Sequence, residues 1–458
     1  MTNRTLGELI NVCGGRAYNC NGIEKLGKFV NNDKEVEKNC VYVAIQGENY
    51  DGNDFAKLAC DSGAAMVITE KKPREDLPSL VVSDLSRALI ELAHYYRKKE
   101  LSKVALVTGS VGKTTVKELL ASILSVNGNV LKTQGNKNNT LGLPLTVLSN
   151  DGGADMAVLE AGISCIGEMD QLSYAACADV VVITNIGSMH AQSFKTLQTT
   201  ANEKLKSIKY ASKDRVCIIP YGEVLLDNVL GAIKVALSDS SADYWAENIV
   251  YDDNGSRFDL LRKNGERIKD IYVPICGEHG VIDALFACAA AFAMGADDMA
   301  VSKGLYGYKN DQLRQNIFEK NNVTVMLDCY NSGPQSLDAS INAFLLSCDL
   351  RQISKRNLLL GSMLELGQIS ADEHIKVGKQ IAQKDIARII TFGKEARNIA
   401  LGALIGGFKG EITCFIEEQK EALEQHLGAL SFDGEAVLIK GSRKLKMEEL
   451  VPFVIKEE

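Results

Sequence analysis

The sequence is poor in the features that mark special classes of protein. No apolar run approaches the about 20 residues that cross a bilayer. The stretch MTNRTLGELINVCGG has neither a long apolar core nor a small-residue cleavage site, so the expectation is a cytoplasmic protein without membrane insertion. Seven prolines and one Trp in 458 residues give no sign of a disordered or fibrous segment. Positive charge is also in deficit: 51 Lys and Arg against 59 Asp and Glu leave a net charge of -8. That balance argues against a nucleic-acid or membrane-surface binder, and anionic ligands must be met by a local basic pocket. Cysteine is not scarce, but its twelve copies are scattered singly, no CxxC occurs, and Cys288, Cys329 and Cys348 sit in apolar runs. Reduced thiols are expected, not disulfides or a metal cluster.

What is present begins with residues 103–120, KVALVTGSVGKTTVKELL. An apolar strand ends in a glycine-bounded loop and gives way to helical periodicity. Such a loop bares backbone N–H groups to an anion, and the helix behind it adds the positive end of its dipole. Gly109, Ser110, Val111, Gly112, Lys113, Thr114 and Thr115 form a short phosphate loop, with Lys113 as a point charge and Thr114 as a hydroxyl for Mg²⁺. The longer nucleotide-binding pattern wants Gly where Val107 stands. The nucleotide read from this loop is ATP.

Taken in order, the chain reads as an α/β protein of three domains. Residues 1–100 form a small mixed domain with strands near CVYVAIQG and AAMVITE and a closing helix, SRALIELAHYYRKKE. Residues 101–312 alternate strand and helix, which predicts a parallel sheet covered by helices, with a polar, hairpin-like stretch at 240–275 and an apolar helix after it. Residues 313–458 repeat strand and helix regularly, as in a separate Rossmann-like doubly wound domain. Ligands gather outside the carboxyl ends of such strands, where Thr108, Glu160, Asn185 to His190, Asp328, Glu365 and Lys440 fall. A cleft between the last two domains would bring these groups together.

The ordered motifs AIQGENYDGNDF (44–55), TGSVGKTTVKE (108–118), TQGNKNNTLGLPLTVL (133–148), EAGISCIGE (160–168), TNIGSMH (184–190), DCYNSGPQS (328–336), GSMLELG (361–367) and IKGSR (439–443) resemble the Mur ligases, ATP-dependent amide-forming enzymes of peptidoglycan synthesis. The resemblance covers the whole chain. It implies an acyl-phosphate mechanism in which Lys113 holds the β- and γ-phosphates. Thr114 and Glu160 would bind one Mg²⁺ and His190 a second, with Lys204 matching a family lysine that carries a carbamate. Arg314 and Asp328 would meet phosphate and ribose, with His279 to Asp283 near the base. The acceptor, a UDP-muramoyl peptide, would be held by Asn32, Asp33, Lys34, Gln46 and Gly47 of the N-terminal domain and by Asn136, Asn138 and Asn139. The amine substrate, D-alanyl-D-alanine, would meet Tyr330, Asn331, Ser332, Glu365, Lys440 and Ser442 of the C-terminal domain. A monomer is the default.

The chain departs from the family pattern at Asn32 to Lys34, Lys206, Gly280, Asp283 and Gly333. Two other readings therefore stay open: a Mur-type ligase with a different carboxylate and amine, and a nucleotide-binding regulator without catalysis.

Overall fold

The computed structural model describes residues 3–23, 25–47, 50–72, 76–187, 191–310 and 313–456. Three sheets organise them, giving three α/β domains. The first sheet holds β1 (Arg16–Tyr18), β2 (Phe29–Val30), β3 (Val41–Val43), β4 (Met66–Thr69) and β5 (Ser79–Val81) in the order β1-β5-β4-β3-β2, parallel except for β1. Its helices are α1 (Leu6–Cys13), α2 (Ala56–Asp61) and α3 (Leu85–Glu100).

The second sheet holds β6 (Lys103–Thr108), β7 (Val130–Lys132), β8 (Met156–Glu160), β9 (Val180–Ile183), β10 (Val216–Pro220), β11 (Ile233–Val235), β12 (Tyr244–Asp252), β13 (Gly255–Arg262) and β14 (Arg267–Val273). Their order is β14-β13-β12-β11-β10-β9-β6-β8-β7. The polar 240–275 stretch is thus a three-strand antiparallel meander that continues the parallel sheet. The covering helices are α4 (Lys113–Leu124), α5 (Gly142–Leu148), α6 (Glu168–Ala176), α7 (Ala191–Phe194), α8 (Leu197–Leu205), α9 (Glu278–Met294) and α10 (Asp298–Tyr306). β6, β8 and β9 are buried almost throughout, as parallel strands covered on both faces must be. β6 lies between β8 and β9, so the chain leaves it in one direction and later crosses to its other side. A crevice for ligand opens at such a switch point.

The third sheet holds β15 (Asn316–Lys320), β16 (Val323–Asp328), β17 (Arg356–Gly361), β18 (Arg388–Phe392), β19 (Glu411–Phe415) and β20 (Ala436–Lys440), ordered β15-β16-β20-β17-β18-β19. Only β15 runs antiparallel to its neighbour. Helices α11 (Pro334–Leu350), α12 (Ser370–Ile381), α13 (Arg397–Ile405), α14 (Lys420–Ala429) and α15 (Val451–Ile455) cover it.

The first two domains share one hydrophobic core, which runs from Leu9, Val41 and Ile68 through Leu89 and Leu92 of α3 to Leu143, Leu172 and Val181. Polar contacts fasten the same seam. Arg4, fully buried, pairs with Glu100 at 2.6 Å and donates to the carbonyls of Leu148 at 2.7 Å and Asn150 at 2.9 Å. Arg97 of α3 donates to Ala176 O and pairs with Asp179. His94 stacks on Tyr174 with ring centroids 4.0 Å apart, a packing role. The third domain keeps its own cores, around Phe344 and Leu360 on one face and Ile390 and Phe432 on the other.

All twelve cysteines are unpaired. Among the described residues no helix is long and apolar enough to cross a membrane.

Candidate active site

The loop after β6 takes its shape from two glycines. Gly109 has φ +149°, and a Cβ there would fall 1.9 Å from Thr184 Oγ1. Gly112 has φ +81° and caps α4, and a Cβ there would fall 2.6 Å from Asp283 Oδ1. Neither position has room for a side chain, and Gly112 also needs a left-handed backbone. Asn185, just beyond β9, braces the loop: its Oδ1 accepts from Ser110 N at 2.9 Å and Val111 N at 3.0 Å. Ser110 Oγ donates to Gly187 O and accepts from Gly187 N, and Thr184 Oγ1 donates to Val111 O.

Two lysines converge on this loop. Lys113 Nζ donates to Gly109 O at 2.9 Å and Ser110 O at 3.1 Å, folded back over its own turn. Lys204, 5 % exposed on α8, donates to Gly109 O at 2.8 Å from the opposite side. Burial lowers the pKa of both. Glu160 works against that at Lys113, whereas Lys113 itself pushes Lys204 further down. Both effects are those of a cation taken out of water, reinforced at Lys204 by a like charge.

Glu160 ends β8 opposite Val107. Its carboxylate accepts from Thr114 Oγ1 at 2.9 Å and from Asn138 Nδ2 at 2.8 Å, with Lys117 Nζ at 3.9 Å. Arg314 comes from the start of the third domain, donates from Nη2 to Thr114 Oγ1 at 3.0 Å, and lies over the Tyr330 ring at 3.8 Å. A pocket of about 230 Å³ opens there, lined by Thr114, Thr115, Tyr308, Arg314 and Tyr330 among others.

Behind the loop, Asp283 stands on the second turn of α9 against Gly112, with Thr115 as a hydrogen-bond partner. Burial pushes its carboxyl up to about 8, against the lowering effects of Arg314 and Thr115. This residue therefore lies against the phosphate turn. Gly280 has no room to be larger, because a Cβ would meet Ile275 at 2.7 Å. His279 hydrogen-bonds Gln315, and burial lowers its pKa.

Across the gap, β16 and β20 run parallel with Asp328 opposite Lys440. Lys440 Nζ bonds Asp328 at 2.7 Å and Asn331 O at 3.0 Å, and Ser340 also donates to Asp328. Asn331 Oδ1 accepts from Ser332 N, and the buried Ser332 hydroxyl has no partner among the described residues. Ser442 Oγ accepts from Leu364 N, next to Glu365, an exposed residue at φ +68°.

The structure gathers Lys113, Thr114, Glu160, Lys204, Asn138, Asp283 and Arg314 around one loop. Other expected residues stand apart or are engaged locally. Asn139 caps α5 through the N–H groups of Leu141 and Gly142, and Asn136 is exposed. Asn32, Asp33 and Lys34 follow β2, while Gln46 and Gly47 follow β3. Since β2 and β3 are parallel, both segments lie at the same end of the first sheet. Lys206 pairs with Glu203 at 2.6 Å and Asp170 at 3.1 Å, away from the loop. His190 lies outside the described residues. Asn185, Lys117 and Gln335 also shape the site. Asn185 stood at a strand end, but the bracing role of its amide carries no sequence signal.

A phosphate loop at the switch point of a parallel sheet, an acidic strand end beside it and an arginine from a second α/β domain define a three-domain enzyme that uses ATP. Comparison with known proteins narrows the class. The Mur ligase middle domain matches residues 107–291, and the Mur ligase, glutamate ligase domain matches residues 313–443. The chain is 34% identical over 427 residues to the UDP-N-acetylmuramoyl-tripeptide--D-alanyl-D-alanine ligase of Bacillus subtilis, covering 92% of each chain. It superposes on a crystal structure of MurF from Acinetobacter baumannii with TM-score 0.88 and 26% identity over 100% of both chains. Against the MurF ligase of Thermotoga maritima in complex with ADP, the TM-score is 0.79 at 26% identity, with 94% of this chain and 97% of that one covered. The protein belongs to the Mur ligase family.

Proposed function

We propose that this protein is an ADP-forming ligase of peptidoglycan precursor synthesis that joins D-alanyl-D-alanine to the free carboxylate of a UDP-N-acetylmuramoyl-tripeptide. The observation that carries the reading is the Thr114–Glu160 pair beneath the loop, flanked by Lys113 and Arg314. Relatives of that name match the chain along nearly its whole length.

A carboxylate is a poor acyl donor, so the reaction needs two transfers. An acceptor carboxylate oxygen bonds the γ-phosphorus while the bond from that phosphorus to the β,γ-bridging oxygen breaks, and ADP leaves. The amine of the dipeptide then bonds the carbonyl carbon, the bond from that carbon to the phosphorylated oxygen breaks, and inorganic phosphate leaves. Charge stabilisation and positioning supply most of the catalysis. Lys113 would turn from the Gly109 and Ser110 carbonyls to the β- and γ-phosphates. Arg314 would stabilise charge on the transferred group from the other domain. The dipeptide ammonium loses a proton before attack, since only the neutral amine is nucleophilic.

The residues fit Mg²⁺. Thr114 and Glu160 offer hard oxygen donors, and among the described residues no cluster of three His, Cys, Asp or Glu gathers, as suits an ion held by one carboxylate and the substrate phosphates. Bound there, it would neutralise phosphate charge and polarise the transferring group. A second Mg²⁺ would rest on His190 and on Lys204 as a carbamate. The low pKa of Lys204 supports that modification, because a neutral amine is what attacks CO₂: an N–C bond forms and a proton is released.

The test is phosphate release from Mg-ATP with bicarbonate and UDP-muramoyl tripeptide, with and without D-alanyl-D-alanine, followed by product mass. Release that requires both substrates and yields the pentapeptide is expected. ATP binding without release would refute the reading, and release with another amine would favour a ligase of different specificity.

A further inference from the structure

The turn after β17, residues 362–367, is held by side chains from several elements. Two successive N–H groups donate outward: Met363 N to His374 Nε2 at 3.0 Å, and Leu364 N to Ser442 Oγ at 3.0 Å. Ser362 N donates to Phe392 O at 3.1 Å, and Ser362 Oγ accepts from Ala396 N at 3.1 Å. Glu365 follows, exposed and at φ +68°. A left-handed glutamate is costly, and such a conformation persists only where its surroundings hold it. Because β17 and β20 run parallel with Leu360 opposite Lys440, the turn stands beside Lys440 and Ser442 at the carboxyl end of the third sheet.

His374 is fully buried on the second turn of α12, and the reaction as described does not use it. Its two ring nitrogens face backbone groups of opposite kind. The Met363 N–H can only donate, so Nε2 must offer its lone pair, and Nδ1, 2.7 Å from Ser370 O, must carry the proton. One tautomer of the neutral ring fits. An imidazolium does not, since its second N–H would point at the N–H of Met363. Burial lowers the pKa of the ring, against the raising effects of the Ser370 carbonyl, Glu395 and Glu373. Ser370 Oγ in turn donates to Glu395 at 2.7 Å, which fixes the first turn of α12. The ring thus ties α12 to the turn by directional bonds.

We propose that His374 is a positioning residue for the reaction: its neutral imidazole holds the turn after β17 in the form that presents Glu365 to the substrate. The inference rests on the ligase reading above and on Glu365 as a group that meets the amine. The ring touches no reacting atom and acts through Met363 N. Met363 and Leu366 are packed into the core of the third domain, so the base of the turn is fixed and its tip is the part free to shift. Without the Nε2 acceptor, the Met363 N–H is buried with no partner, a state the chain escapes by moving the tip and releasing Glu365 from its left-handed form.

The test uses two amide substitutions that divide the bonds of the ring. In His374→Gln the side-chain oxygen reaches the place of Nε2 and accepts from Met363 N, whereas in His374→Asn the amide reaches only the place of Nδ1. His374→Asn should raise the KM for D-alanyl-D-alanine about tenfold and His374→Gln less than about threefold. The KM values for ATP and the UDP-peptide should stay put in both. Melting temperature should fall in both variants, so lost stability does not produce the split between them. In a double-mutant cycle with Glu365→Gln, the Asn change should add little to a KM already raised, because both remove the same contact. Equal dipeptide KM values in the Asn and Gln variants, or additive effects in the cycle, overturn the positioning role. Two further measurements do not depend on turnover. Amide exchange at Met363 should be slow in the wild type and the Gln variant and fast in the Asn variant. The chain has five histidines, few enough for a ¹⁵N-histidine label to resolve this ring, which should carry its proton on Nδ1 at neutral pH. A proton on Nε2 overturns the proposal even where a variant does not fold. A wild type without dipeptide-dependent phosphate release would instead overturn the ligase reading, and exchange at Met363 would still decide whether the ring holds the turn.

Discussion

Replacing Asp283 by Asn should stabilise the protein at neutral pH and do nothing for it in acid. The side chain is 8 % exposed, and its carboxyl is pushed up to about 8. An unfolded chain titrates the same group near about 3.9. Between those values the unfolded state has lost a proton that the folded state still holds, so stability falls as pH rises through the window and levels off above about 8. At pH 7 about three pKa units of that loss have accrued, an upper limit of about 4 kcal/mol at 1.36 kcal/mol per unit. Relaxation and water entry around the carboxyl reduce it, and about 2 kcal/mol is the working figure. Asn keeps the shape and has no proton to lose. For a domain of about 200 residues, 2 kcal/mol is about 4–8 °C in Tm. Melting curves of wild type and Asp283→Asn at half-unit steps from pH 4.5 to 8.5 would read the difference directly. A gain that is equal at both ends of the range, or that grows toward acid, would refute the argument that a buried neutral acid sits behind the loop.

Lys113→Met should abolish phosphate release, by about a thousandfold or more as the point charge on the phosphates is lost, while melting temperature changes little. Glu160→Gln should raise the Mg²⁺ concentration for half-maximal phosphate release by about tenfold, since a neutral amide is a weaker ligand for a hard cation. With ¹³C-bicarbonate, the wild type should show a carbamate carbonyl resonance that disappears in Lys204→Arg, and its absence from active enzyme would remove the modification. Arg4→Met should cost about 3–5 kcal/mol, because Glu100 and the carbonyls of Gly27, Leu148 and Asn150 would lose a buried cationic partner, and a urea melt that does not move would contradict this.

Parts of this structure were legible in the sequence because the physics is local. The Lys113 loop was readable from two glycines between an apolar strand and an amphipathic helix. Glu160, Asp328 and Lys440 were readable as polar residues ending apolar strands, since a parallel sheet sends such ends to one side. The two- and three-residue strands β2 and β7 were not, because no periodicity develops over such a length. The 240–275 stretch carried the polarity of a hairpin, but nothing in it says that its first strand would pair in parallel with β11 and lengthen the central sheet. Side-chain roles that depend on distant partners were hidden as well. Asp283 was expected near the nucleotide base, and only the tertiary approach of α9 to Gly112 reveals it as a neighbour of the phosphate turn. Asn139 looked like a ligand residue because an Asn-rich loop serves either role, and its engagement with Gly142 N at 2.8 Å appears only once α5 is in place.

The distribution of cores bears on how the enzyme works. The first two domains share one apolar core, and fully buried Arg4 is anchored on both sides of the seam, so separating them would expose apolar surface and strand a buried charge. The third domain shares no such core with them. Its polar contacts with them include Arg314 on Thr114, Gln315 on His279, Arg351 on the Asp253 carbonyl at 3.4 Å, and Gln335 against Gly187. Polar contacts of this kind trade readily with water, whereas burial in a common core does not. Motion should therefore divide the molecule after the second domain. Arg314 already rests on the hydroxyl expected to bind Mg²⁺, so nucleotide entry must displace or share that hydrogen bond. The arginine that bridges the second and third domains would thereby report whether phosphate has arrived.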